Sequence, residues 1–228
     1  IDSSKLALDP ENIYLWRGPS LRLSAEMLRD NALAISGLLV TKVGGKSVYP
    51  YQPAGLWDEL SNKIWRYPYL QEPGEGLYRR SLYTIWKRTS PPPSMLLFDA
   101  PDRSFCTVQR RETSTPLQAL VLLNDPQYVE VARMLALHCR KQHTDLDQCL
   151  QEIFRLTVGR YPNGEELNLV QDFFKNELAE IEKGTIDVAA YLSSGEMEVP
   201  PGVDNRELAA LAITGHNLLN TYEAQLRK

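Results

Sequence analysis

Between Arg79 and Arg111 the sequence gathers seven cations (Arg79, Arg80, Lys87, Arg88, Arg103, Arg110 and Arg111) against two acids, Asp99 and Asp102. Guanidinium groups form bidentate bonds with carboxylate or sulfate, so this string has the chemistry to hold an anionic substrate or an acidic partner surface. The same residues also suit a scaffold. The stretch from Ser94 to Ser114 shows no helical period, and a loop that long needs anchors, because its backbone groups cannot all reach water. The two readings predict different surroundings. A binding site needs an open cleft where Asp102, Arg103 and a tryptophan converge, whereas a scaffold needs its arginines buried on backbone carbonyls. Cys106 lies in the same stretch. Nearby positive charge lowers a thiol pKa and would make it reactive; the plainer role is a packed loop cysteine.

Other residue types offer weaker chemistry. Tyr49, Tyr51, Trp57, Trp65, Tyr67, Tyr69 and Trp86 could stack on sugars, or fill a core poor in regular structure. Asp99 with Asp102, and Asp58 with Glu59, are the carboxylate pairs nearest to that cluster. Closeness in sequence does not establish the roughly 5–10 Å separation that glycoside hydrolysis requires. His138, Cys139, His143 and Cys149 are metal-ligand types, but their spacing fits no zinc pattern, so no metal is expected. Cys139 and Cys149 fall on facing apolar stripes of two consecutive helices, as a disulfide in an exported chain or as two buried thiols. The sequence holds no GxSxG, HExxH, P-loop or dinucleotide-binding glycine pattern. It holds no CxxCH either, so this chain itself carries no covalent c-type haem.

The 228 residues are 43% apolar and 24% charged, a soluble globular profile with enough chain for a real core. The longest stretch free of Asp, Glu, Lys and Arg, Leu208 to Tyr222, contains His216, Asn217 and Asn220. It falls short of the roughly 18 apolar residues of a spanning helix. The net charge of -4 gives no nucleic-acid footprint. No basic segment followed by an apolar one opens the sequence, so any export signal was removed or lies outside it. The charge is lopsided: net +3 up to Ser114 and -7 from Thr115 onward. Twelve of the 15 prolines and all four tryptophans fall at or before Pro126.

This asymmetry predicts a mainly α fold, with at most a minor strand, in which an irregular, Pro- and aromatic-rich half (1–114) packs on a helical, bundle-like half (115–228). In the first half Ile1 to Pro19 reads as a surface strap. A helix follows from Ser20 as N-cap to Gly37, with Leu23, Met27, Leu28, Ala34, Ile35, Leu38 and Leu39 near helical spacing. Val43 to Pro53 reads as loop, Leu56 to Trp65 as a short helix, and Leu77 to Thr89 as a helix stopped by Pro91-Pro92-Pro93. A short strand is expected near Phe105 to Val108. In the second half Thr115-Pro116 and Asp125-Pro126 each place an N-cap before an N1 proline. Thr144 opens the next helix, which Gly159 ends in the left-handed conformation. Asn163 to Lys183 carries Glu165 and Glu166 at its positive end. Asp204 with Glu207 reads as a capping box for the last helix, whose inward face runs from Leu208 to Tyr222.

Several strings together resemble a known family: DPENIYLWR (from Asp9), AEMLRDNALAISG (from Ala25), YQPAGLW (from Tyr51), the long run from Tyr78 to Arg133, FRLTVGRYPNGEEL (from Phe154) and LLNTYE (from Leu218). The chain resembles the planctomycete-type domain of unknown function number 1553, and the resemblance spans nearly all of it. The family's shared motif falls on Phe98 to Arg103, Cys106, Arg110-Arg111, Thr115 to Leu120 and Asn124-Asp125. This adds Gln118 and Asn124 to the candidate ligand or partner residues Arg79, Arg80, Arg88, Asp99, Asp102, Arg103, Cys106, Arg110 and Arg111. Ser114-Thr115-Pro116 replaces the family's common Asn-Thr-Pro and keeps the Thr cap. The resemblance implies a large, extracytoplasmic multidomain protein. Its partners would be other domains of the same polypeptide, and c-type haem would lie upstream. It further implies that the family domain begins before the DPEN string, and it carries over no catalytic residue. Two functions fit: a non-catalytic assembly or interaction module, or a carbohydrate-binding or carbohydrate-active domain.

Overall fold

A computed structural model describes residues 3–18, 21–58 and 69–227. In chain order its elements are α1 (Ser3–Leu8), β1 (Leu21–Arg22), α2 (Ala25–Ile35), α3 (Glu75–Tyr78), α4 (Pro93–Leu97), α5 (Pro116–Asn124), α6 (Pro126–Gln142), α7 (Leu146–Val158), α8 (Gly164–Glu182), α9 (Val188–Leu192), α10 (Asn205–Leu219) and β2 (Leu226–Arg227). The chain is mainly α-helical. β1 and β2 form one antiparallel pair, Leu21 opposite Arg227 and Arg22 opposite Leu226.

Side-chain caps start most of the longer helices. Ser24, Asp125, Asp145, Asn163 and Asp204 each accept a backbone N–H of the first turn, satisfying a donor that the helix leaves open. Asn163 and Glu166 cap reciprocally, at 2.9 and 2.8 Å. Gly159, at φ 82°, stops α7.

α6 is the axis of the fold. Its first half, through Tyr128 and Val131, closes a core with Ala32 and Leu33 of α2, Leu77, Met95, Phe98 and Leu122. Its second half, through Leu135 to Cys139, closes another with Cys149, Leu150 and Ile153 of α7, Phe174 of α8, and Leu208 to Ala212 of α10. Each fully buried Leu or Ile there contributes about 1.5–3 kcal/mol. A helix walled on both sides has little polar face. This is why Gln127, Glu130 and Arg133 of α6 are buried beside its apolar residues.

The first half departs from the sequence expectations in detail. α2 starts at Ala25 under Ser24; Ser20 lies outside the described residues, and Met27 faces solvent. The strap contains helix α1. Of the short helix expected from Leu56 to Trp65, residues 59–65 lie outside the described residues, and 54–58 form turns. The helix expected from Leu77 to Thr89 is broken. α3 ends at Tyr78, and after a single 3-10 turn (Ser81–Tyr83) the chain runs extended. Tertiary partners override the period here: Tyr78 O accepts from Val40 N, and the Val48 and Ile85 amides bond Tyr83 O and Val48 O. The loop expected from Ser94 instead opens with α4, whose N1 is Pro93, and no strand forms at 105–108.

In the second half the errors are small. Asp145 rather than Thr144 caps α7. Glu207 does not complete a capping box; its carboxylate takes Arg140 Nε at 2.6 Å. Tyr222 lies beyond the end of α10 and faces solvent. Cys139 and Cys149 are free thiols, both fully buried.

Candidate functional site

The cation-rich stretch is closed at its neck. α4 ends on Phe98, and Asp99 turns the chain at φ 62°. The Asp99 carboxylate accepts the Thr113 amide at 2.8 Å and its hydroxyl at 2.9 Å, pinning both ends of the loop. Gln118, in the first turn of α5, continues this clasp. Its Nε2 donates to Leu97 O at 2.7 Å and Thr113 Oγ1 at 3.0 Å, and its Oε1 accepts from Thr115 N. Arg22 Nη1 donates to Thr113 O and lies 3.5 Å from Asp99, with its guanidinium over the Phe98 ring. Two of the predicted site residues, Asp99 and Gln118, are therefore committed to backbone and loop closure.

Inside the loop Asp102, Arg103 and Trp86 do meet. The Trp86 indole N–H donates to Asp102 O at 3.2 Å. The Arg103 guanidinium covers the Trp86 ring, 4.6 Å from its centroid, and Asp102 Oδ1 accepts from Ser104 N. Lys87 covers Trp57 at 4.5 Å, and Tyr49, Trp57 and Tyr69 pack edge-on against one another. Trp65, Tyr67 and Glu59 lie outside the described residues.

The remaining cations divide. Arg79 is buried: its guanidinium donates to the carbonyls of Lys42, Gly44 and Lys46 and lies over Tyr83 at 3.8 Å. Arg110 forks onto Glu26 at 2.5 and 3.0 Å. Arg80, Arg88, Arg103 and Arg111 are exposed, and so is Cys106.

Sequence reasoning did not find two buried polar knots. In the first, Arg29 of α2 donates to Gln127 Oε1 at 2.5 Å and to the carbonyls of Arg79 and Leu77 at 2.8 and 2.6 Å. It holds together the chain after α3 that was expected to be helical. In the second, Glu130 is fully buried. Its Oε1 accepts Tyr78 OH at 2.9 Å and the amides of Glu196 and Met197 at 2.8 and 2.7 Å, and its Oε2 accepts Tyr51 OH at 3.1 Å. Arg133 lies 3.7 Å from the same carboxylate and donates to the carbonyls of Leu192 and Met197. Burial and Glu130 together push the Tyr78 hydroxyl well above its ordinary range, so it stays a donor.

Between α4, α5, the 51–53 segment and the start of α6 lies an open, mostly apolar groove of about 520 Å³. Leu97, Leu117, Leu120 and Pro126 wall it, with Asn124 and Gln52 among its polar residues. Leu117 and Leu120 are each more than half exposed. Asn124 donates to Leu120 O at 2.8 Å and so ties down its own helix end. Among the described residues no set of three His, Cys, Asp or Glu side chains is placed to hold a metal ion.

These features define a helical domain whose most distinctive string, residues 79–126, builds a clasped loop beside an apolar groove. The chain belongs to the family described as PSD1, protein of unknown function (DUF1553), whose model matches residues 1–174. No curated protein and no solved structure matches it. No helix among the described residues is long and apolar enough to cross a membrane.

Proposed function

We propose that the domain is a non-catalytic interaction module that docks other domains of the same polypeptide. One observation carries this reading: within residues 79–126 the carboxylates of Asp99, Asp102 and Asp125 are engaged internally and that of Glu112 is exposed, while the rest of the surface left open is apolar and arginine-bearing. Asp99 closes the loop and Asp102 caps a turn. Phe105 and Val108 are exposed in the loop that carries Arg103, Arg110 and Arg111, and Leu117 and Leu120 are exposed on α5. Exposed apolar residues mixed with arginine are the composition of a docking surface. In the multidomain setting that the family resemblance implies, the module acts outside the cytoplasm. Any c-type haem then belongs to an upstream domain.

A carbohydrate-binding or carbohydrate-active role has less support. Sugar stacking needs an open aromatic face, and cations cover one face each of Trp86 and Trp57. The test is to express the parent's remaining domains apart from this chain and titrate one against the other by calorimetry. Saturable binding that Leu117→Asp and Leu120→Asp weaken is expected. Absence of binding, together with product release from a polysaccharide panel, would reverse the order of the two readings.

A further inference from the structure

The geometry points to a carboxylate-binding pocket at the neck of the cationic loop, walled by Arg22, Arg110 and Arg111 with Phe98 and the acids Asp99 and Glu112, and sized for an acidic side chain of the docked partner. The cavity is small, about 80 Å³. Arg22 reaches it from β1, held there by the pairing with β2. Its guanidinium lies between Phe98 and Asp99, two other wall residues. The side chain is 8% exposed, and its Nη2, itself buried, has no hydrogen-bond partner among the described residues. A buried guanidinium nitrogen without an acceptor is costly, and a carboxylate oxygen is the acceptor that satisfies it best. Ser24 caps α2, so the positive end of an 11-residue helix faces the same space.

Acids border the pocket, and their state decides the sign of the site. Asp99 already accepts two groups of Thr113 and lies 3.5 Å from Arg22 Nη1. Glu26 is bound by the Arg110 fork. Glu112 is exposed at the rim and can turn outward. Arg22 Nη2 is left without a hydrogen-bond acceptor, and exposed Arg111 without a carboxylate, among the described residues.

The size of the cavity selects the source of the anion. An Asp or Glu carboxylate on its one- or two-methylene stem can enter 80 Å³. A uronic acid carries its carboxylate directly on the sugar ring and would drive that ring against the rim. The partner identity rests on the docking reading above; the pocket itself does not.

The test uses amide and arginine side-chain NMR of the intact chain, titrated with sodium acetate against sodium chloride at equal ionic strength. Saturable shifts at Arg22, Ser24 and Arg110 to Glu112 with acetate alone are expected, with about tenfold weaker binding in Arg111→Gln, which leaves the buried wall intact. Equal or linear responses to both salts, or unchanged affinity in Arg111→Gln, would overturn the pocket and leave the docking reading standing. A second titration compares a blocked Gly-Glu-Gly peptide with glucuronate. Preference for the peptide supports a protein partner, and preference for glucuronate overturns that part.

Discussion

The substitution Glu130→Gln tests the central knot. It keeps the side-chain volume but removes the charge and one acceptor. Four donors converge on the native carboxylate: the hydroxyls of Tyr51 and Tyr78 and the amides of Glu196 and Met197. A glutamine offers one oxygen, and its NH2 must face at least one of these donors. Leaving a buried donor unmet costs about 1–3 kcal/mol. Arg133, 1% exposed, also loses its counter-charge; breaking a buried pair costs about 3–5 kcal/mol. The two costs share atoms and overlap, so about 3–5 kcal/mol is expected in total. For a chain of this length that lowers Tm by roughly 6–20 °C, with urea unfolding showing the same loss at unchanged m-value. Tyr51→Phe removes its bond to Glu130 and the one its oxygen accepts from Glu196 N, and should cost about 1–2 kcal/mol. If Glu130→Gln costs under about 1 kcal/mol, as a surface change would, the carboxylate is not the tie between the halves.

Four further outcomes follow from the same geometry. Gly195→Ala should cost at least as much as Tyr51→Phe, because its φ is 87° and a Cβ there would meet the Glu130 carboxylate at 2.4–2.5 Å; thermal melts of the two variants decide it. Arg79→Met should cost about 2–3 kcal/mol and raise amide exchange at 42–46, since three carbonyls lose their donor. With an aromatic disulfide reagent, Cys106 alone should react in the folded chain and all three thiols in denaturant. Burial pushes Cys139 and Cys149 up to about 12 and hides them. Burial also lowers His216 below its ordinary 6.5: neutral, it donates from Nε2 to Leu122 O at 2.6 Å and accepts Tyr191 OH at Nδ1. The unfolded chain then binds the proton more readily, so stability is full above pH 6.5 and declines as pH falls through that value toward the folded one. His216→Gln should flatten this slope between pH 7 and 5 in denaturant melts.

The helical half was legible because its signals are local. Thr115-Pro116, Asp125-Pro126, Asn163 with Glu166, and Gly159 each act within a turn or two of chain. The 77–89 segment was not, because its period competes with partners 35 to 50 residues away, Val48 and Arg29 among them. α4 escaped notice because a five-residue helix is too short to show a period. Of the candidate site, the sequence located the clasped loop but not the roles within it. That Arg79 is buried on carbonyls while Arg111 is exposed depends on which chain segments lie opposite. Glu130 and Arg133 were invisible for a related reason. A helix buried on every side gives its polar residues no distinguishing face.

The strand pair has a mechanical consequence. Leu21, where β1 begins, lies opposite Arg227, where β2 ends, so chain entering and chain leaving the ladder do so at the same end. Tension along the polypeptide therefore loads these bonds one at a time, as a zipper rather than in shear. The tie should open at low force while the α6-centred cores stay closed. Arg22, held in that ladder, would lose its place beside Asp99 first, and the state of the small pocket would then report tension on the chain.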